Sequence, residues 1–227
     1  MNKQVRIKIC GLKDTDTIQA MDGLPIHEIG FIFAPSKRQV SNEIAAKLVN
    51  AAHKLATANQ ARPRTVGVFV NASERQLLET LAEAPLDVVQ LHGDESPELC
   101  SRIRSGGHNV KVWKVFSIRN SSEQQDLEID AMERLRPFAD SVDAILIDAP
   151  GGGTGRAFDW TAIRQYMDAA HQFSLPLYVA GGLNADNVGQ LLSSYSPDGI
   201  DVSSGVETDG HKDIDKIKLF VRRVMEA

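Results

Sequence analysis

The feature that most constrains this chain is an alternation. Short runs rich in Val and Ile recur at 5–10, 28–33, 65–70, 87–91, 110–116, 143–148, 176–180 and 199–202, and read as strands. Between them lie stretches with apolar residues at i, i+3, i+4 and i+7, the spacing of an amphipathic helix: 43–56, 74–84, 96–104, 185–194 and 212–224. Ser41, Ser73 and Asn184 each precede a helical run, where a side-chain oxygen can accept from an otherwise unpaired backbone N–H. The last helical run has aspartates in its first turn and a basic end, which suits its dipole. Strands alternating with helices at this spacing form parallel βαβ units, because parallel neighbours need a crossover. Eight units in 227 residues predict a closed (β/α)8 barrel, one domain over residues 1–227. An open doubly wound sheet usually has fewer strands and a glycine-rich turn after the first, and that turn is absent here.

Composition narrows the function classes. Apolar residues make up 42% and charged residues 24%, enough for a sizeable core. A net charge of −5 argues against a nucleic-acid partner, which needs a basic surface to displace counterions. No apolar run approaches the roughly 20 residues needed to span a bilayer, and MNKQVRIKIC has no signal-peptide core. The expectation is a soluble, cytoplasmic chain without a membrane partner. Cys10 and Cys100 are too few for a disulfide framework and form no CxxC pattern. No His/Cys/Asp cluster has metal-ligand spacing, and no Walker or dinucleotide fingerprint follows a strand, so neither metal nor cofactor is expected.

In such a barrel the chemistry sits where the strands end and in the loops that follow. The loops after the seventh and eighth strands are its usual phosphate cradle. Here they carry Gly181 and Gly182, then Ser203 and Ser204, with Gly153, Thr154 and Gly155 after the sixth strand as a third side. Glycines admit close backbone approach to an anion and hydroxyls add donors. One such cluster could be a plain turn; three in consecutive loops favour a phosphate group.

Acid–base candidates come from the strand ends. Residues i and i+2 of a strand share a face, so Arg6, Lys8 and Cys10 point one way and Ile7 and Ile9 the other. With the isoleucines packed outward, Lys8 and Cys10 point into the barrel. Cys10 then has two readings: a small buried hydrophobe, or a base whose thiol pKa the Lys8 charge lowers. Asp148 ends an apolar run and is either a former of the glycine turn or a catalytic carboxylate, since Asp is seldom buried unpaired. Asp201 has the same two readings. Asp159 is expected to cap the next helix, with Phe158 and Trp160 packing beside it. Cys100 lies mid-helix and reads as core. Lys37 and Arg38 form either a solvated basic loop or, through the planar fork of Arg38, a carboxylate binder.

Taken together, KICG (8–11), GFIFAPSKR (30–38), VGVFVN (66–71), VVQLHGDE (88–95), ILIDAPGGGTGRAFDW (145–160), AGGLNADNV (180–188) and DVSSGVE (201–207) resemble the phosphoribosylanthranilate isomerase family of tryptophan biosynthesis. The motifs are in order over nearly the whole chain, with 104–142 matching loosely. The resemblance implies a cofactor-free Amadori rearrangement of a phosphoribosyl substrate by a monomer or homodimer. Asp148 would be the general acid and Cys10 the general base, with a raised carboxyl pKa and a lowered thiol pKa. Arg38 would hold the anthranilate carboxylate, and His92 and Asp201 would touch the substrate. Two alternatives differ in class: a phosphoribosyl barrel isomerase of histidine biosynthesis, which would carry an aspartate pair and a half-barrel repeat, and a non-catalytic phosphosugar-binding barrel.

Overall fold

A computed structural model describes residues 4–57, 61–118, 130–149 and 160–227. Eight parallel strands close on themselves in sequence order: β1 (Arg6–Cys10), β2 (Glu28–Ile32), β3 (Arg64–Phe69), β4 (Val88–Leu91), β5 (Lys111–Ser117), β6 (Ala144–Asp148), β7 (Leu177–Val179) and β8 (Gly199–Val202). The seam is the β1–β8 pairing, with Lys8 opposite Asp201. A helix follows each: α1 (Thr15–Ala20), α2 (Asn42–Ala52), α3 (Glu74–Glu83), α4 (Pro97–Ser105), α5 (Ala131–Leu135), α6 (Thr161–Gln172), α7 (Val188–Ser194) and α8 (Ile214–Glu226).

The predicted β1 alternation positions the site. Ile7 and Ile9 face out into the shell between sheet and helices, where α8 adds Ile217, Phe220, Val221 and Val224. Those four stand at i, i+3, i+4 and i+7, one helix face. A second, smaller core fills the barrel itself: Val66, Val88, Trp113, Val115, Ala144, Leu146, Tyr178 and Ala180. The barrel is therefore plugged below its mouth. Above and around that plug, Lys8, Gln90, Asp148 and Asp201 are buried polar residues.

Helix ends follow local chemistry. Ser41 and Ser73 cap as expected, and Ser73 with Gln76 makes a reciprocal capping box. Asp213 caps α8, accepting from the N–H groups of Asp215 and Lys216. Asn184 does not cap α7, which begins at Val188 after Asn187. Its Oδ1 instead accepts from the N–H groups of Asp186 (2.8 Å) and Asn187 (3.2 Å), closing a turn ahead of the helix. The helix expected over 43–56 stops at Ala52.

One element has no counterpart in the strand–helix reading. β9 (Glu207–Thr208) and β10 (His211–Lys212) form a small antiparallel hairpin after β8. Its two-residue turn is Asp209-Gly210, with φ of 50° and 78°. Positive φ at both central residues is the type I′ arrangement, for which Asp-Gly is a favoured pair.

Candidate active site

The ends of all eight strands and the loops that follow them surround a cavity of about 340 Å³, within the range for small-molecule sites. Cys10, Arg38, His92, Asp148 and Asp201 all line it, and so do Gly181, Gly182, Ser203 and Ser204. Gly153, Thr154 and Gly155 lie outside the described residues, as do Phe158 and Asp159. Trp160 is half-buried against the shell core. Cys100 is buried on α4, as its core reading expects.

Cys10 ends β1 opposite Gly30 of β2. A Cβ on Gly30 would stand 2.7 Å from the Cys10 sulfur, so the glycine makes room for the thiol. Lys8 is wholly buried beneath, and its Nζ donates to Asp201 Oδ2 at 2.8 Å. Burial opposes the Lys8 charge, yet Asp201 and Cys10 together hold its pKa above the ordinary value. The expected lowering of the thiol is not found. Burial is the largest influence on Cys10 and pushes its pKa up; the Lys8 charge opposes this, and Asp201 reinforces it. The Lys8 charge is felt at the sulfur, but burial together with the Asp201 carboxylate outweighs it.

Asp148 is 5% exposed at the end of β6, and its Oδ1 is buried with no hydrogen-bond partner among the described residues. Burial, and then the Asp201 charge, raise its pKa to about 7. A carboxyl that keeps its proton near neutrality is suited to donate it. His92 Nε2 stands 3.6 Å from Asp148 Oδ2. Burial, helped by the charges of Lys8 and Lys114, pushes His92 down to about 4, so its imidazole is neutral at pH 7. The loop carrying His92 is held from behind. Lys114 on β5 donates to Gly93 O (2.6 Å) and Glu95 Oε2 (3.0 Å), and Glu95 accepts from the N–H groups of Asn71 and Gly93.

Gly181 and Gly182 take φ of 90° and 67°, a region glycine enters without steric cost. A Cβ on Gly181 would meet Ala149 N at 2.7 Å and Asp148 Oδ1 at 3.0 Å, crowding the unpaired carboxyl oxygen. A 3₁₀ turn, Ser204–Val206, follows β8, where such barrels often carry a short extra helix at the phosphate.

Arg38 is not a free fork. Its Nε and Nη2 donate to Glu207 Oε1 (2.6 Å) and Oε2 (2.8 Å), a bidentate pair buried at the rim. This leaves three of the five guanidinium N–H groups for a ligand. Although burial pushes Glu207 up, hydrogen bonds from Arg38 and Lys212 hold its carboxyl at about 2. Glu207 and Lys212 escaped the sequence reading, although the Asp-Gly pair between them signals a hairpin. Gly30 and the Lys114–Glu95 pair left no sequence signal, because their roles arise from contacts between strands.

Comparison with known proteins agrees with this geometry. The family model for N-(5'phosphoribosyl)anthranilate (PRA) isomerase matches residues 7–223. The N-(5'-phosphoribosyl)anthranilate isomerase of Brevibacillus brevis is 41% identical over 223 residues, covering 96% of this chain and 93% of the relative. The solved phosphoribosyl anthranilate isomerase of Thermotoga maritima superposes with a TM-score of 0.77 at 33% identity, covering 99% of this chain and 100% of that one. A solved phosphoribosyl anthranilate isomerase in complex with reduced 1-(o-carboxyphenylamino)-1-deoxyribulose 5-phosphate gives 0.76 at 32% identity, with 99% and 100% covered. Family match, length and fold agree, and the chain belongs to the N-(5'-phosphoribosyl)anthranilate isomerase family.

Proposed function

We propose that this chain converts N-(5'-phosphoribosyl)anthranilate to 1-(2-carboxyphenylamino)-1-deoxyribulose 5-phosphate, with Asp148 as general acid and Cys10 as general base. By family it is an isomerase of tryptophan biosynthesis. The observation that carries the assignment of roles is the pair of strand ends: a proton-holding Asp148 on β6 and a thiol on β1, both lining one cavity.

Asp148 gives its proton to the furanose ring oxygen. The C1'–O bond breaks, and the amine lone pair forms the Schiff base. The Cys10 thiolate then takes the C2' proton, and the released electron pair gives an enolamine that tautomerises to the ketone. Each group needs only hydrogen-bond reach of its atom, and β1 and β6 approach the sugar from different sides of the barrel. The free N–H groups of Arg38 hold the anthranilate carboxylate, and His92 and Asp201 contact the ring-opening sugar. Gly181, Gly182, Ser203 and Ser204 receive the phosphate, with Gly153, Thr154 and Gly155 as its third side. No cofactor enters this scheme.

Because burial raises the Cys10 pKa, the free site holds the thiol mostly uncharged. The productive form, thiolate with protonated carboxyl, shares its proton count with the more abundant thiol–carboxylate form, so their ratio does not change with pH. Raising the pH through about 7 therefore fills the productive state by removing one proton from the pair. Activity falls again only when the thiol itself titrates.

The unit of function is the whole chain, residues 1–227, acting in the cytoplasm as a monomer or homodimer without a nucleic-acid or membrane partner. No helix among the described residues is long and apolar enough to cross a membrane. The experiment is direct: generate the phosphoribosyl substrate in solution, add the protein and follow the aminodeoxyribulose product. Conversion at an enzymatic rate supports the reading. Binding of the product without turnover would instead favour a phosphosugar-binding barrel.

A further inference from the structure

We infer that Glu207 is a positioning residue for this reaction: it holds Arg38 in the plane that receives the substrate carboxylate and ties that end of the cavity to the phosphate end. The inference rests on the isomerase reading above and names a residue that reading does not use.

The geometry starts with the hairpin. In the β9–β10 register Glu207 lies directly opposite Lys212, so their side chains stand on one face. Lys212 Nζ donates to Glu207 Oε1 at 2.7 Å and to Ser203 O at 2.8 Å, with Ser203 Oγ at 3.3 Å. Ser203 Oγ donates to Cys10 O at 3.1 Å. The other side of the Glu207 carboxylate takes the bidentate fork of Arg38. One carboxylate thus joins the loop after β2, the loop after β8 and the end of β1.

Charge and packing agree with a positioning role. Arg38, Lys212 and, at 3.7 Å, Lys37 surround this single anion. The rim keeps a cationic excess, as a ligand with both a carboxylate and a phosphate requires. The Arg38 stem crosses Gly11, where a Cβ would lie 2.7 Å from Arg38 Cδ and 3.3 Å from Ser203 Oγ. Gly11 (φ 81°) keeps that path open. An arginine pinned along its Nε–Nη2 edge offers its remaining donors in a fixed plane, so less rotamer freedom is lost on binding.

The test is a kinetic cycle on the intact protein: wild type, Glu207→Gln, Arg38→Ala and the double variant, each with kcat, KM and Tm. Glu207→Gln is expected to raise KM about tenfold or more, the scale of a charge-assisted hydrogen bond, with kcat within a few-fold. The double variant should be no more than about twofold worse in KM than Arg38→Ala alone, because contacting residues are not additive. Glu207→Asp, which keeps the charge, should recover part of the KM loss and guards against a Gln variant that fails to fold. A lowered Tm with unchanged KM in both Glu207 variants, or fully additive KM effects with Arg38→Ala, would overturn the inference while leaving the isomerase reading intact. A wild-type protein that does not turn over the substrate would overturn both.

Discussion

Asp148 shows how one residue can be placed against stability and for chemistry. Its carboxyl titrates near 7 in the folded protein, against about 3.9 in an unfolded chain. As pH rises from about 4, the unfolded chain loses this proton first, so folding stability falls between pH 4 and 7 and the full penalty persists above 7. Asp148→Asn removes the penalty. We expect it to stabilise the fold at pH 8 by a few kcal/mol at most, on a scale of about 1.4 kcal/mol per pKa unit, and so to raise Tm there, and to leave Tm near wild type at pH 4. Turnover should fall by about 100-fold or more, the usual contribution of a general acid. Melting curves at the two pH values check the first half; a lower Tm at pH 8 would contradict it. Gly30→Ala makes a second residue-scale prediction. Its Cβ would press on the Cys10 sulfur and not on Arg38 or Glu207, so kcat should drop by a larger factor than KM rises. Steady-state kinetics on the folded variant decides.

At the scale of elements, what the sequence made legible was whatever depends on near neighbours. The Ile7/Ile9 face of β1, the Ser73 cap and the apolar stripe of α8 are all local patterns, and all stand in the fold. What escaped depends on partners far along the chain. Arg38 reads as a free basic residue because Glu207, 169 residues later, is invisible from its loop. The activated reading of the Cys10 thiol rests on Lys8, two residues away, whereas Asp201 and burial are supplied by the closed barrel. α1 has six residues and a single buried side chain, Ile18, too little for a periodicity to show. The hairpin has a local signal in its Asp-Gly pair, but its two-residue strands are too short for any alternation to show beside it. Gly210→Ala tests the hairpin as an element. A non-glycine residue at φ 78° costs about 1–2 kcal/mol, enough to fray four ladder residues. We expect KM to rise as in Glu207→Gln with only a small fall in Tm. An unchanged KM would mean the turn does not hold Glu207 in place.

For the molecule as a whole, the two ends of the barrel divide the work. At the end away from the cavity, Glu28 is fully buried, and its Oε1 accepts from Arg6 Nη2 (2.6 Å), Arg64 Nη2 (2.6 Å) and Tyr178 Oη (3.2 Å). Gly199 lets the Tyr178 ring lie flat across the interior, since a Cβ there would fall 2.2 Å from it. This end closes the plug and touches no proposed substrate contact. Glu28→Ala leaves two guanidinium groups without their counter-charge. We expect a loss of about 2 kcal/mol in urea unfolding, less than for a fully buried pair because both arginines are a third exposed, with kcat/KM unchanged at temperatures where the variant is folded. The mouth carries the opposite trade: Asp148 Oδ1 and Asp201 Oδ1, without a hydrogen-bond partner among the described residues, a desolvated thiol and a neutral His92, each unfavourable for folding and useful for proton transfer. The predicted kcat/KM profile follows from that arrangement. It rises to about pH 7, stays level, and falls only above the ordinary thiol range; a maximum confined below pH 7 would speak against the thiolate.

The central claim is that Cys10 and Asp148 move the protons while other residues hold the substrate. The measurement that bears on it most directly pairs turnover with binding in Cys10→Ala and Asp148→Ala. Each variant should lose about 100-fold or more in kcat and still bind the reduced product analogue within a few-fold of wild type. Wild-type turnover in either variant would contradict the account, whatever the other measurements gave.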